Sequence, residues 1–193
     1  SYAAQLDDEE LLDGLGHTKL DAFVTYAKEF LEQHENNKLV VFCSYVDMVD
    51  LIVKRLGEDI AVPYTGELDA KTKEKHKNAL NNDPAIRVLV SSDAGGYGVD
   101  LPAANMLINY DLPWSSGLAT QRNGRIRRAS SEWSTIVIQD FLIAGSIEVR
   151  QHEALQQKNA IASAVIDGEG INERGGVDLT IGTLRGFLLD TSV

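Results

Sequence analysis

The amino-acid sequence predicts an α/β fold in which helices cover both faces of a parallel β-sheet. Short apolar segments rich in β-branched residues alternate along the chain with stretches whose apolar residues recur at helical spacing. The short segments are apolar throughout, which is typical of strands that are buried on both faces of a sheet. Sheets of this kind bind their ligands at the carboxyl ends of the strands.

The individual elements can be assigned in order from the N-terminus. Thr18 is suited to N-cap the first helix, and Gly57 is suited to end the second. The predicted helices run from Thr18 to about His34, from Val46 to Leu56 and from Asp69 to Leu80, with one more through the arginine cluster near residue 125. The predicted strands are Lys38–Cys43, Ile60–Tyr64, Ile86–Ser91, Asn105–Asn109 and Thr135–Phe141.

Three parts are expected along the 193 residues. Residues 1–15 form an acidic lead-in without periodicity, residues 16–145 hold the predicted sheet, and residues 146–193 are expected to form a helical extension with a glycine-rich linker. No run of about 18 apolar residues is present, and the N-terminus lacks the pattern of a signal peptide. We therefore expect a soluble, intracellular protein with no membrane partner.

The charge distribution limits the classes of ligand. A net charge of −11 argues against a protein that coats nucleic acid, because phosphate binding depends on lysine and arginine residues that release counterions. Residues 112–131 nevertheless hold four arginines and no acid, so any site for a polyanion is expected to be local. The histidines do not stand in paired metal-ligand spacing, and Cys43 lies in an apolar run. No metal site is therefore expected on this chain.

A glycine-rich stretch from Ser91 to Asp100 follows the third predicted strand. Its glycines allow the backbone to adopt positive φ and to come close to a ligand, and successive free amides can bind an anion. Asp100 is suited to accept hydrogen bonds from a ribose hydroxyl. The alternative is an ordinary loop between a strand and a helix. The stretch is not the dinucleotide-binding fingerprint, because no G-x-G-x-x-G opens a helix after the first strand.

An arginine cluster, Gln121–Arg128, lies before the last predicted strand. If it is helical, Arg125 and Arg128 stand three residues apart on one face and can hold one phosphoryl group from two sides. Arg122 and Arg127 then point to other faces and are expected to serve packing or solvent contacts. The alternative is a solvated basic face. The occurrence of the glycine stretch and the arginine cluster in this order favours the functional interpretation of both.

The motifs together resemble the C-terminal lobe of superfamily-two helicases, and within that group the Swi/Snf-type branch of DNA translocases. The resemblance covers nearly everything from His17 onward, and the helix-forming stretch after residue 146 resembles the helix that follows the motifs in that branch. The matching motifs, in the order of the family, are Thr18–Leu20 at the first helix, Lys38–Tyr45 (motif IV), Tyr64–Gly66, Ser92–Asp100 (motif V) and Gln121–Arg128 (motif VI).

The resemblance implies a RecA-like sheet and assigns roles to particular residues. Arg125 and Arg128 correspond to the arginine fingers that act in ATP hydrolysis. The positions that correspond to contacts with ATP are Gly98, Asp100 and Gln121. The positions that correspond to contacts with nucleic-acid phosphates, which carry no sequence preference, are Ser44, Thr65, Gly66 and Ser92.

Two parts of an ATPase motor are missing from the sequence: a G-x-x-x-x-G-K-[ST] phosphate loop and an apolar strand that leads into a magnesium-binding acidic box. The resemblance therefore implies that ATP with magnesium is bound mainly by a first RecA-like lobe of the same polypeptide, and that this chain alone is inactive. Double-stranded DNA is the expected nucleic acid; Asp100 stands where the branch usually has asparagine, which leaves RNA open. A catalytically inactive RecA-like interaction module and a self-contained phosphate-ester or nucleotide enzyme remain as alternatives.

Overall fold

The structure is a computed structural model, and it describes residues 18–95, 98–127, 131, 133–143, 146, 148–150 and 152–153. Helices and strands alternate along the described chain. In order they are α1 (Thr18–Gln33), β1 (Leu39–Cys43), α2 (Val46–Leu56), β2 (Ala61–Tyr64), α3 (Ala70–Asn82), β3 (Val88–Ser92), β4 (Met106–Asn109), α4 (Ser116–Asn123) and β5 (Val137–Asp140).

The five strands form one parallel sheet in the order β2-β3-β1-β4-β5. β1 is central and pairs with β3 on one side and β4 on the other, so that Val40 lies beside both Leu89 and Leu107. All five residues of β1 and of β3 are buried, as the continuous apolar pattern predicts. β2 is an edge strand, where Pro63 is tolerated because no strand of the described residues pairs with it on the outer side. The predicted α/β fold with a parallel sheet is confirmed.

The alternation of side chains along β1 divides the apolar core between the two faces of the sheet. Leu39, Val41 and Cys43 pack in the cluster that contains the buried faces of α1 and α2. Val40 and Phe42 point to the opposite face and pack in a second cluster, which includes Leu80 of α3 and Ile126. Helices therefore cover both faces of the sheet.

Side chains and one glycine define the ends of several helices. Gly57 ends α2 with φ 111°, a conformation that favours glycine, and its amide donates to the carbonyl of Val53. Asp69 caps the N-terminus of α3 by accepting from the amides of Lys71 and Thr72. At the end of α1, Arg87 donates to the carbonyls of Leu31, His34 and Asn37, and so satisfies acceptors that the helix itself leaves open.

The structure corrects three of the predicted boundaries. Thr18 is already part of α1, so it is not the N-cap that the sequence indicated. α4 ends at Asn123, so Arg125 does not lie in the predicted helix. Residues 124–126 form turns that bring Ile126 into the core, where it is fully buried, and that burial explains why the chain leaves the helix. β5 is shorter than predicted and largely exposed, because it is the second edge of the sheet.

The expected acidic lead-in and most of the expected helical extension lie outside the described residues. Within the extension, residues 148–150 and 152–153 are helical. No helix in the part of the chain that the structure describes is both long and apolar enough to cross a membrane.

Candidate nucleotide and nucleic-acid site

The glycine loop (residues 93–101) and the arginine segment (residues 121–127) meet at the carboxyl edge of the sheet. The loop begins where β3 ends, and the segment begins in the last turn of α4. A main-chain hydrogen bond joins them directly, because the amide of Leu101 donates to the carbonyl of Arg125 over 3.0 Å. Asp100, which is expected to contact ribose, therefore directly precedes the residue that is hydrogen-bonded to the backbone of Arg125, the expected arginine finger.

Arg122 makes a second connection between the glycine loop and the arginine segment. The residue is buried (2% exposed), and its Nε donates to Oδ1 of Asp93 over 2.7 Å, with Nη2 also 2.7 Å from that oxygen. Its Nη1 donates to Oδ1 of Asn109 (2.9 Å) and to the carbonyl of Asp111 (2.7 Å). The guanidinium also lies over the ring of Phe42, 5.2 Å from its centre. One side chain thus links the loop after β3, the end of β4 and the end of α4.

The polar contacts extend from Asn109 towards β5. The amide nitrogen Nδ2 of Asn109 donates to Oδ1 of Asp140 over 2.8 Å. The other carboxylate oxygen of Asp140 lies 3.1 Å from Nδ1 of His152, in the helical residues that follow β5. The ends of β4 and β5 are therefore joined by side chains as well as by the sheet.

Arg125 has a fixed backbone and an available side chain. Its amide donates to the carbonyl of Arg122 over 3.0 Å, and its own carbonyl accepts from Leu101. Its side chain is half-buried and forms no ion pair with the described residues. Arg127 is exposed, and Arg128 lies outside the described residues. The arrangement suits a guanidinium that meets an external anion.

The residues expected to contact ATP lie in the same glycine loop and arginine segment. Gly98 is exposed and has φ 72°, and a Cβ built on it meets no atom within 4 Å, so the backbone there is open to a ligand. Asp100 is exposed, and its carbonyl accepts from Nδ2 of Asn81 over 3.4 Å. Gln121 is exposed in the last turn of α4. Residues 96 and 97 of the loop lie outside the described part of the chain.

The residues expected to contact nucleic acid lie at the ends of β1, β2 and β3. Gly66 is exposed and Ser44 is half-buried, with its amide donating to Oδ2 of Asp111 over 2.8 Å and its hydroxyl buried without a partner. Thr65 and Ser92 are instead buried (3% exposed each). The hydroxyl of Ser92 accepts from the amide of Gly95 over 3.2 Å, so its contact lies within the loop.

The loops that follow β2 and β3 are packed directly against one another. A Cβ built on Gly95 lies 2.1 Å from the carbonyl oxygen of Tyr64 and 2.8 Å from the Cα of Thr65. The hydroxyl of Ser91 donates to the same carbonyl of Tyr64 over 3.1 Å. The backbone of Gly95 therefore occupies space in which no other residue fits, and the two loops form one surface.

At this edge of the sheet, the described residues support neither a nucleophilic thiol nor a metal site made of side chains. Burial raises the pKa of the Cys43 thiol well above its usual value, so the thiol stays protonated and is a poor nucleophile. Among the described residues no group of three or more histidine, cysteine, aspartate or glutamate side chains is placed to hold a metal ion. The groups available at this edge are arginine side chains, main-chain groups and the polar side chains of Asp100 and Gln121.

Three residues of the site were missed by the sequence analysis: Asp93, Asn109 and Asp111, which hold Arg122. A signal for them was present. Each is a polar residue at or just after the carboxyl end of an apolar strand, where the strands of a parallel sheet bring side chains together. Arg122 was assigned to packing or solvent contacts, and the structure places it in the interior.

Comparison with known proteins assigns the class of fold first and then the family. The class is that of a parallel α/β sheet with helices on both faces, a fold shared with the C-terminal part of the Fun30 ATPase domain. Residues 20–130, more than half of the chain, match the family described as "Helicase conserved C-terminal domain". The chain belongs to this family.

Relatives and solved structures agree with that assignment. The chain is 29% identical over 170 residues to the human DNA repair and recombination protein RAD54-like, and 25% identical over 174 residues to transcription termination factor 2 of Drosophila melanogaster. These matches cover 86% and 88% of this chain but 22% and 16% of the relatives. The chain thus spans about a fifth of the length of the curated relatives that it matches.

Two solved structures share the fold. The C-terminal part of the Fun30 ATPase domain gives a TM-score of 0.62 at 20% identity and covers 71% of this chain and 45% of that one. The Sulfolobus solfataricus SWI2/SNF2 ATPase C-terminal domain gives 0.54 at 22% identity and covers 74% of this chain and 57% of that one. The RecA-like fold is confirmed, and so is the resemblance to the Swi/Snf-type branch.

Proposed function

We propose that this chain is the second motor lobe of an ATP-dependent translocase or helicase that acts on double-stranded DNA. The observation that carries the proposal is the bond between the amide of Leu101 and the carbonyl of Arg125, which places the glycine loop and the arginine segment side by side. A relative described as a DNA repair and recombination protein supports DNA as the nucleic acid.

The exposed groups at this edge fit one side of a nucleotide. The open backbone at Gly98 allows close approach, Asp100 offers acceptors for ribose hydroxyls, and Gln121 offers an amide. ATP with magnesium would supply the free energy for movement when it is bound. The groups that cradle its phosphates and its metal belong to the first lobe, because the sequence of this chain has neither a phosphate loop nor an acidic box.

Arg125 and Arg128 are proposed to act as the arginine fingers. A guanidinium aimed at the transferred phosphoryl group neutralises charge that spreads over its oxygens, and its planar fork holds two oxygens at once. The fixed backbone of Arg125 supports this role, because a preorganised cation loses little freedom when it meets the anion. The first lobe would bring the substrate to the fingers when the two lobes close.

Ser44 and Gly66 are proposed to contact phosphates of the nucleic acid, since both are at least partly accessible at the ends of β1 and β2. Thr65 and Ser92, which are buried, are proposed to contribute by shaping the two loops that present those contacts. Contacts to phosphates position a strand without reading its sequence. Opening and closing of the lobes would then move the chain along the nucleic acid.

The proposal is tested by replacing the arginines in the protein that carries both lobes. Arg125→Ala and Arg128→Ala are each expected to lower the kcat of ATP hydrolysis by about 10³-fold, the lower end of the range for arginine fingers. Arg125→Lys should not restore it, because a point charge on a flexible stem does not reproduce the fork. Steady-state ATPase rates with saturating nucleic acid give the measurement.

The matched control is Arg127→Ala, an exposed arginine two residues from Arg125 in the same segment. It is expected to keep a near-normal kcat. Equal losses in the Arg125, Arg127 and Arg128 variants, or a normal rate in Arg125→Ala, would contradict the assignment of the fingers. The affinity for nucleic acid without ATP should change little in any of them, because the fingers serve the nucleotide.

A further inference from the structure

Arg122 lies too deep to touch a ligand, yet it contacts both motifs of the proposed site. We infer that Arg122 is a positioning residue for ATP turnover, which sets the place of Arg125 and of the glycine loop through its bonds to Asp93, Asn109 and Asp111. The inference rests on the proposed function, because it concerns the same site.

The arginine segment holds the glycine loop at both of its ends. At the first end, Asp93 accepts from the Arg122 side chain. At the second end, the amide of Leu101 donates to the carbonyl of Arg125. Arg122 and Arg125 are themselves bonded through their main chains. A change at the Asp93 end therefore reaches the residues that the proposed function places against ATP.

The chemistry of this contact requires an arginine. Nε and Nη2 of the guanidinium face one carboxylate oxygen of Asp93, with the hydrogen bond formed by Nε, while Nη1 on the other side donates to Asn109 and to the carbonyl of Asp111. A lysine carries the charge but has a single nitrogen, and a methionine fills a similar volume without charge or donors. With either substitution, the loop after β3 loses bonds that fix it to the end of β4.

The burial of Arg122 beside Asp93 allows a positioning role of its guanidinium and excludes direct binding of a ligand. The Arg122 side chain is 1% exposed and that of Asp93 is 24% exposed, so the guanidinium cannot reach an external phosphate. Its charge is compensated inside the protein by Asp93 and by two oxygen acceptors. Arg125, three residues later, has no such compensation among the described residues. Within one segment, Arg122 therefore holds the structure in place, and Arg125 is left to meet an external anion.

The experiment uses the protein with both lobes and the variants Arg122→Met and Arg122→Lys. Arg122→Met is expected to lower kcat by about 100-fold, the size of effect that a displacement of about 1 Å has on a reacting group. Arg122→Lys should recover part of this loss, since it keeps a charge opposite Asp93. The KM for ATP should change much less than kcat, because the phosphate cradle of the first lobe is untouched.

The double variant Arg122→Met/Arg125→Ala distinguishes positioning from a general loss of structure. If Arg122 acts through Arg125, then Arg122→Met lowers kcat little further once Arg125 has been replaced. A loss of kcat by the same factor in both backgrounds would overturn the inference. If Arg125→Ala itself has a normal rate, the proposed function fails first, and the two failures can be told apart.

Hydrogen exchange without ATP gives a readout that is independent of activity. In Arg122→Met, amides of the peptide that spans residues 93–101 should exchange faster, while those of β1 keep the parent rate. Unchanged exchange in this peptide would contradict the inference. If Arg122→Met does not fold, Arg122→Lys and Asp93→Asn carry the same comparisons, and parent-like exchange and kcat in both would overturn it.

Arg87→Met is the matched control. Arg87 also donates to three oxygen acceptors, but these are carbonyls at the end of α1, on the opposite edge of the sheet. Its replacement is expected to lower thermal stability and to leave kcat unchanged at temperatures where the variant is folded. A fall in kcat equal to that of Arg122→Met would show that loss of any structural arginine has this effect, and would contradict the inference.

Discussion

Gly95 shows how little space separates two loops of the site. Because a Cβ at this position meets backbone atoms of Tyr64 and Thr65, no side-chain movement can relieve the overlap. We expect Gly95→Ala to lower the free energy of unfolding by about 3 kcal/mol, as in severe overpacking. Urea unfolding of the 193-residue chain, followed by circular dichroism, measures it.

Gly117→Ala is the control for that substitution. Gly117 lies in α4, where a Cβ meets only the hydroxyl oxygen of Ser115 at 3.9 Å. Alanine in a helix is favoured over glycine by about 1 kcal/mol, so this variant should be as stable as the parent or more stable. A Gly95→Ala variant with parental stability would mean that the two loops are not packed as described.

At the same scale, the sequence could identify residue types but not their partners. The arginine cluster was recognisable from its spacing, and the glycine stretch from its composition. The partner of Arg122, however, is Asp93, 29 positions earlier in the chain. No local pattern connects two residues at that separation, because the fold alone brings the ends of β3 and β4 together. The roles of Arg125 and Arg128 stay predictions.

Among the elements, α3 has an N-cap whose strength depends on pH. Hydrogen bonds from the side chain and amide of Thr72 are the main reason why the pKa of Asp69 is lowered from its usual value of 3.8. A carboxylate with a lowered pKa in the folded state stabilises the fold above the pKa of the unfolded chain, and this stabilisation is lost as pH falls through the folded pKa. The cap should therefore weaken below about pH 4.

Asp69→Ala tests this cap. The variant should be less stable than the parent at pH 6, and the difference should narrow at pH values below the usual pKa of aspartate. Asp69→Asn is the control, because asparagine also caps helices but does not titrate in this range. Thermal unfolding at several pH values measures all three, and a difference that is constant with pH would contradict the assignment.

The bounds of the helices and strands were predictable where apolar residues recur at a regular spacing or form a continuous run. α2 begins and ends at the predicted residues, and β1 differs by one residue at its start. The end of α4 was missed, although Gly124 follows it directly and glycine commonly ends helices. Tertiary packing of Ile126 and the bond between Leu101 and Arg125 determine where that helix stops.

At the scale of the whole molecule, the net charge opposes binding to nucleic acid. The proposed contacts are few and the chain carries a net charge of −11, so the isolated lobe should bind DNA weakly and without sequence preference. Because the proposed contacts at Ser44 and Gly66 carry no charge, few counterions are released, and the logarithm of the binding constant should fall with the logarithm of salt concentration with a slope shallower than about −3. Fluorescence anisotropy titrations at several salt concentrations give this slope.

The same titrations with Arg125→Ala serve as the control, because the finger is not expected to contact DNA. Nanomolar affinity at physiological salt, or a marked preference among sequences, would show that another surface dominates.

The parallel sheet, and the edge of it that carries the candidate site, were predictable from the alternation of elements. The strand order was not, since order depends on which apolar faces pack together across the whole chain.

The ion pair between Asp93 and Arg122 also restricts how this sequence can diverge. A buried charge that loses its partner is strongly destabilising, whereas replacing both members by well-packed neutral residues can be tolerated. Drift at either position alone is therefore disfavoured, and as far as stability is concerned the two positions can change only as a pair. A substitution at position 93 therefore requires a matching substitution at position 122. The same holds for a design that transfers this motif to another lobe.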